Sequence, residues 1–187
     1  ALIVGIGFLL ISFLIGGGSR SDILSLLVLR PLALCVFAWA LLSLRRGRLY
    51  RQSSLMWSLG VLVLWGVFQL VPLPPAIWQM LPERELIVAA DAFFGLNNVW
   101  RPISLAPHLT INAIYALFIP GAMLLLVGRF DVDQLNYFLP VILGLGLLTG
   151  VLGVLQVSSE PGGSLYFYRI TSEQFAVGLF ANRNHQA

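Results

Sequence analysis

Four consecutive polar side chains, Asn182-Arg183-Asn184-His185, form the densest hydrogen-bonding run in an otherwise overwhelmingly apolar sequence. They offer two carboxamides, a guanidinium and an imidazole, a set suited to holding an oxyanion. The planar fork of Arg183 could grip a phosphate or pyrophosphate through two parallel hydrogen bonds and neutralise charge on a leaving group. It could equally be an interfacial cation that snorkels its head to water. Asn182 and Asn184 either cap a helix start, the usual use of Asn there, or fix the orientation of the arginine between them. His185 is a general base toward an acceptor hydroxyl or a neutral donor to a phosphate or sugar, and the second role is favoured. A charge entering hydrocarbon costs about 2.5–3.5 kcal/mol on insertion scales, so such a run needs a compensating partner.

Two further arginines join the candidate anion-binding set. Arg169 closes the aromatic stretch Tyr166-Phe167-Tyr168-Arg169, either solvated or in contact with the same anion. Arg30 lies inside an apolar run, roughly 10 Å along a helix from Ile23. It either snorkels outward or points into the bundle toward that anion. Arg101, Ser104 and Thr110 precede another apolar run and read as structural, because hydroxyls at a helix start most often satisfy backbone donors. His108 has no Cys, Asp or Glu at ligand spacing, and there is no His-x-x-x-His or Cys-x-x-Cys, so no protein-held metal is expected. Phosphate-binding glycine loops, dinucleotide fingerprints and Gly-x-Ser-x-Gly are likewise absent from the sequence, so no cofactor is expected and the catalytic group stays unassigned. Cys35, the single cysteine, sits in an apolar run and reads as a buried inert thiol.

The elements that must position these residues follow from composition. Hydrophobic residues make up 58% of the 187 and charged ones only 10%, far from the balance of soluble domains. The reading is an all-α polytopic membrane helix bundle, one transmembrane domain over 1–187. Its spans fall at about 1–15, 23–44, 55–71, 110–127 and 137–157, and another starts near 179, giving five to six crossings. The eleven basic residues are all Arg, and four of them fall in Arg45-Arg46-Gly47-Arg48-Leu49-Tyr50-Arg51 without an acid. That loop is therefore cytoplasmic, odd spans run outward, and segments 72–109 and 158–178 are external. The net charge of +3 reports this topology and not a nucleic-acid surface.

Within 72–109, Trp78, Phe93, Phe94 and Trp100 predict short interfacial helices over about 75–81 and 83–94, with Asn97-Asn98 ending the second. Pro107 or Thr110 starts the fourth span, Pro120 should kink it, and Gly146-x-x-x-Gly150 in the fifth permits close approach of a neighbouring helix. Beginning inside an apolar run and stopping where a helix would open, the sequence reads as a fragment of a longer protein.

Gly178-Leu-Phe180-Ala-Asn182-Arg183-Asn184-His185 resembles the Gly-x-Phe-x-Asn-Arg-Asn-His signature of the O-antigen ligase/O-antigen polymerase superfamily. Arg101-Pro-Ile-Ser104-Leu-Ala-Pro107-His-Leu-Thr110 is similar to the Arg-Pro-x-Ser-Leu-x-Pro-x-x-Thr element of the same family. Leu70-Val-Pro72-Leu-Pro74-Pro75-Ala-Ile-Trp78-Gln-Met-Leu-Pro82 resembles the loop before it. All three occur in the family's order, across what corresponds to its amino-terminal half.

The resemblance implies a multi-pass protein of the bacterial inner (cytoplasmic) membrane. Such a protein transfers or polymerises glycan from an undecaprenyl-pyrophosphate carrier on the external face, as in lipopolysaccharide and other cell-envelope polysaccharide biosynthesis. Its partners would be the lipid-linked glycan, membrane lipid and other polysaccharide-assembly proteins, and not nucleic acid. The activated pyrophosphate supplies the energy, and the family's presumed base lies in a later loop, so this stretch alone should not turn over. The alternative from another class is a transporter or flippase of lipid-linked glycan, with Arg30 and Arg183 lining an anion path.

Overall fold

The computed structural model describes residues 1–18, 24–43, 53–159, 163–168, 171–172 and 174–182. Nearly all its regular structure is helical: α1 (Leu2–Ile15), α2 (Leu26–Leu42), α3 (Ser53–Gln69), α4 (Pro75–Trp78), α5 (Glu85–Phe93), α6 (Pro107–Ala116), α7 (Phe118–Val127) and α8 (Val132–Val157). One antiparallel pairing joins β1 (Pro72–Leu73) to β2 (Arg101–Pro102), with Pro72 opposite Pro102 and Leu73 opposite Arg101. The all-α expectation holds at that level.

Two helical stretches, Pro107–Val127 and Val132–Val157, are long and apolar enough to cross a membrane. Helices α1, α2 and α3 are apolar but shorter, at 14, 17 and 17 residues. At 1.5 Å per residue they reach about 21–26 Å against a hydrocarbon core of about 30 Å. Length and composition therefore single out two crossings among the described residues, fewer than the five or six expected.

The chain divides into two compact units, one of Ala1–Met56 with Phe118–Ala187, the other Trp57–Leu117. In the first, Ala33 and Ala40 lie two turns apart on one face of α2 and cluster with Ala122, Leu125 and Leu126 of α7 and Phe8 of α1. Small side chains let the backbones approach closely enough to gain dispersion contacts. Phe37 and Phe118 meet edge-on across this core with centroids 5.3 Å apart. Gly5 of α1 receives the ring of Phe130, where an added Cβ would stand 2.6 Å from Cζ.

Helix α8 starts five residues earlier than the expected 137, because the Asp131 side chain caps it and accepts from the Gln134 backbone N–H at 2.8 Å. At the other end of α2, Arg129 donates to the Ala40 carbonyl and, at 3.0 Å, to Ser43 Oγ. Its guanidinium carbon also stands 5.2 Å from the Trp39 ring. A cation on the last carbonyls of a helix meets both their unpaired acceptors and the helix dipole.

The reading of Cys35 is corrected here. Cys35 is exposed on α2 and unpaired, not buried. No neighbour lies within 4 Å of a Cβ built at Gly146 or Gly150, so that face of α8 is open among the described residues. The break in the 107–127 stretch falls at Leu117, one turn before Pro120, whose missing N–H leaves the Ala116 carbonyl without its helical donor.

The second unit is built around a small polar interior. Trp78, at the end of α4, is fully buried and donates Nε1–H to the Val99 carbonyl at 2.9 Å. Arg101 on β2 pairs in a bidentate fork with Asp91 of α5, Nε to Oδ2 at 2.7 Å and Nη2 to Oδ1 at 2.5 Å, and covers the Trp78 ring at 5.7 Å. Hydrogen bonding to Asp91 is the main cause that holds the Arg101 pKa above the ordinary arginine value.

Arg84 is buried beside them and donates to the Ile103 carbonyl. Met80, Leu86 and Phe93 point outward instead, 85%, 83% and 84% exposed. Helix α5 ends at Phe93, one residue from the expected 94, and what breaks it is a left-handed turn at Gly95 with φ 71°, ahead of Asn97-Asn98. There Leu96 N–H reaches back to the Asp91 carbonyl at 2.7 Å and Gly95 N–H to Ala92 at 3.3 Å.

Candidate functional site

Of the candidate anion-binding residues, Asn182 and Arg30 are described and both are partly buried. Arg183, Asn184, His185 and Arg169 lie outside the described residues. What the structure defines is the frame that delivers the chain to Asn182, and that frame belongs to the first unit.

Gln156, in the last turn of α8, is completely buried, and its carboxamide uses every hydrogen-bonding position. Oε1 accepts from the backbone N–H groups of Val177 at 3.0 Å and Gly178 at 2.7 Å. Nε2 donates to the carbonyls of Leu165 at 2.9 Å and Gly178 at 2.8 Å. One face and two turns earlier, Thr149 Oγ1 accepts from Leu179 N–H at 3.0 Å. Unpaired amides in apolar surroundings cost several kcal/mol, so α8 supplies what the incoming backbone needs.

A second side of the frame comes from the end of α1. Gly17 accepts from Ala181 N–H at 2.9 Å. A Cβ at Gly17 would stand 2.2 Å from the Leu179 carbonyl oxygen and 2.8 Å from Tyr168 Oη, so only glycine fits. The Ala181 carbonyl in turn accepts from Thr171 Oγ1 at 3.0 Å and Ser172 N–H at 3.2 Å. The rings of Phe13 of α1 and Phe180 meet at a 6.0 Å centroid separation, tilted 59° to one another.

Burial raises the Tyr168 phenol above its ordinary value, against a smaller opposing effect of its hydrogen bond with the Gly17 backbone. Arg30 belongs to the same end of this unit, since the side chain of its neighbour Leu29 lies 3.0 Å from the Cβ position of Gly16. Tyr166 Oη donates to the Gln156 carbonyl at 3.2 Å and accepts from Gln174 N–H at 3.1 Å, linking two parts of the returning segment to α8.

The expected span start near 179 is corrected by this geometry. The backbone over 174–182 is turn and bend, with Gly178 in the left-handed region at φ 57°. The amides of Val177, Gly178 and Leu179 are taken by side chains of α8 and not by a helix of their own. Sequence reasoning missed Gln156 and Thr149. The signal was there: two polar residues seven apart share one face of a helix that is otherwise apolar beyond Tyr137.

The Arg101, Ser104 and Thr110 cluster belongs to the second unit and is a structural knot. Ser104 Oγ and Thr110 Oγ1 are 2.7 Å apart, Ser104 Oγ accepts from Ala106 N–H at 3.2 Å, and Ser104 N–H reaches the Gln69 carbonyl at 2.9 Å. His108 is exposed on α6. Among the described residues no three His, Cys, Asp or Glu side chains gather where they could hold a metal ion. No protein-family model, curated protein or solved structure matches the chain.

Proposed function

We propose that the chain is part of a multi-pass glycosyltransferase of the O-antigen ligase/polymerase type in a bacterial inner membrane. It would use undecaprenyl-pyrophosphate-linked glycan on the external face. The observation that carries the reading is the frame of Gln156, Thr149 and Gly17 around residues 177–181. A buried, fully bonded lead-in is what an oxyanion site needs, because donors must be fixed before charge develops. It ends directly at Asn182-Arg183-Asn184-His185.

The finer architecture belongs to the same proposal: α1, α2 and α3 are crossings along with 107–127 and α8. The second unit's polar interior and outward Met80, Leu86, Phe93 and Trp100 support short helices seated in the membrane interface. In this arrangement Arg183 holds pyrophosphate oxygens as a fork, Asn182 and Asn184 orient it, His185 donates to phosphate or sugar, and Arg169 and Arg30 add positive charge. An external acceptor hydroxyl attacks the anomeric carbon and gives up its proton to a base outside this stretch, while the bond from that carbon to the pyrophosphate oxygen breaks and the lipid pyrophosphate leaves with its electron pair.

The test is glycan transfer by membranes carrying matched amounts of Arg183→Lys and wild-type protein. An ammonium cannot make two parallel hydrogen bonds. Loss of one charge-assisted bond, about 1.5–3 kcal/mol, lowers transfer roughly ten- to a hundredfold. Near-normal transfer by Arg183→Lys reduces the residue to an interfacial charge and removes the reading.

A further inference from the structure

We propose that the second unit holds one glycerophospholipid, with an acyl chain in a groove between α3 and α6 and its ester carbonyl on the carboxamide of Gln69. The groove has a volume of about 460 Å³ and lies wholly within that unit. Small residues open it. A Cβ added at Gly66 would stand 2.8 Å from Ile114 Cγ1, so the two helices are in contact there, and Gly66 and Ala113 leave room over that floor.

The two ends of the groove differ. Leu62, Trp65, Ala113 and Leu117 make an apolar trough, while Gln69 and Thr110 supply polar groups at the end where α3 and α6 give way to the β1–β2 pairing. Thr110 Oγ1 is already engaged with Ser104 Oγ at 2.7 Å. The Gln69 carboxamide is partly buried, and among the described residues no hydrogen bond engages it. An amide in an apolar wall costs free energy until something bonds to it, so this end of the groove calls for a polar partner.

Length, width and charge choose the occupant. From Leu62 to Gln69 the helix rises roughly 10 Å, about two-thirds of the hydrocarbon depth of one leaflet. Spread over that length, the volume leaves a channel about 7 Å across, too narrow for a helix of about 10–12 Å diameter and wide enough for one extended chain. No charged side chain lines the groove among the described residues, so a free carboxylate or a pyrophosphate would be desolvated there without a counter-charge. A neutral acceptor on an acyl chain fits: the ester carbonyl accepts from Gln69 Nε2–H and the headgroup stays in water. The proposal rests on α3 and α6 lying in the bilayer and not on the glycosyltransferase reading, and its test uses no transfer assay.

The purified chain is stripped of lipid in detergent and titrated with dioleoylphosphatidylethanolamine or dioleoylphosphatidylglycerol, and bound lipid is counted by native mass spectrometry. The expected result is one lipid per chain, with affinities for the two headgroups within about fivefold, the scale of exposed charge. Gln69→Leu keeps volume and weakens binding roughly two- to tenfold, the net value of one hydrogen bond. Ala113→Phe fills the groove from an exposed position and weakens binding roughly ten- to a hundredfold, the scale of overpacking. Ala116→Phe, exposed on α6 outside the lining, leaves binding unchanged.

A phosphatidylcholine brominated on one acyl chain gives a reading that needs no filled groove. It quenches the fluorescence that Trp65→Phe removes, saturating at one lipid per chain, and spares the fluorescence that Trp57→Phe removes, since Trp57 is exposed on α3 outside the lining. Equal binding by wild type, Gln69→Leu and Ala113→Phe overturns the proposal, because the lipid is then only part of the general shell. Quenching of Trp57 as strong as that of Trp65, a headgroup preference beyond the expected range, or a second copy of the chain in place of lipid overturns it as well.

Discussion

Replacing Arg101 by Met should destabilise the second unit far more than replacing its partner Asp91 by Leu. The two side chains form one ion pair, but they are 33% and 5% exposed respectively. Arg101→Met keeps an apolar stem over the Trp78 ring and strands a carboxylate that is only 5% exposed. Asp91→Leu leaves a guanidinium that is already one-third in solvent and can turn further out. Breaking a buried pair costs about 3–5 kcal/mol, most of it from the stranded charge. That range belongs to Arg101→Met, while exposure cuts the cost of Asp91→Leu to about 1–2 kcal/mol.

The double variant, Arg101→Met with Asp91→Leu, strands nothing and should return to within about 1 kcal/mol of wild type. Trp78 is the built-in probe, because it is fully buried against Arg101. Unfolding in detergent micelles followed by tryptophan fluorescence gives all three values. Equal losses for the two single variants, or strict additivity in the double, would refute the reasoning.

Gly17→Ala should destabilise by about 1–3 kcal/mol, because its new methyl meets a backbone carbonyl that cannot step aside. Gly146→Ala and Gly150→Ala, which meet nothing within 4 Å, should stabilise by about 0.5–1 kcal/mol each; thermal melts of the three variants check both signs. Tyr168 should titrate above its ordinary 10.0 in an ultraviolet absorbance titration. Since its folded value is raised, the neutral phenol's contribution is present below the unfolded pKa and is lost as pH rises through the folded one. A Tyr168→Phe variant that leaves the high-pH absorbance step unchanged would contradict this. Cysteines at Gly47 and Asn97 should react with an impermeant reagent from opposite sides of the membrane, Asn97 from outside, and labelling of both from one side would overturn the proposed topology.

Helix positions were the legible part of the sequence because their signals are local. Pro75 opens α4 and Pro107 opens α6, each supplying a fixed φ and no wasted N–H. The β1–β2 pairing was illegible for the opposite reason, since two residues carry no periodicity and their partners are remote in sequence. Arg101 and Asp91 are ten residues apart, one on a strand and one on a helix, and neither motif nor spacing marks them as a pair. The candidate site divides the same way. Its polar run stands out against apolar neighbours, whereas Gln156 and Thr149 read as polar intrusions on one helix face until the returning backbone supplies the four hydrogen bonds of the Gln156 carboxamide.

The arginine that closes α2 comes late in the chain. Arg129 follows the Ala40 carbonyl it binds by 89 residues. At roughly 5–20 residues per second of translation, that separation is about 5–20 s in which the end of α2 exists without its cation. Over that interval the earlier helix is provisional, and its final carbonyls need water, lipid headgroups or an assembly factor as a temporary partner. A lesion at Arg129 would therefore surface as a fault of biogenesis in a helix completed long before the mutated codon was read.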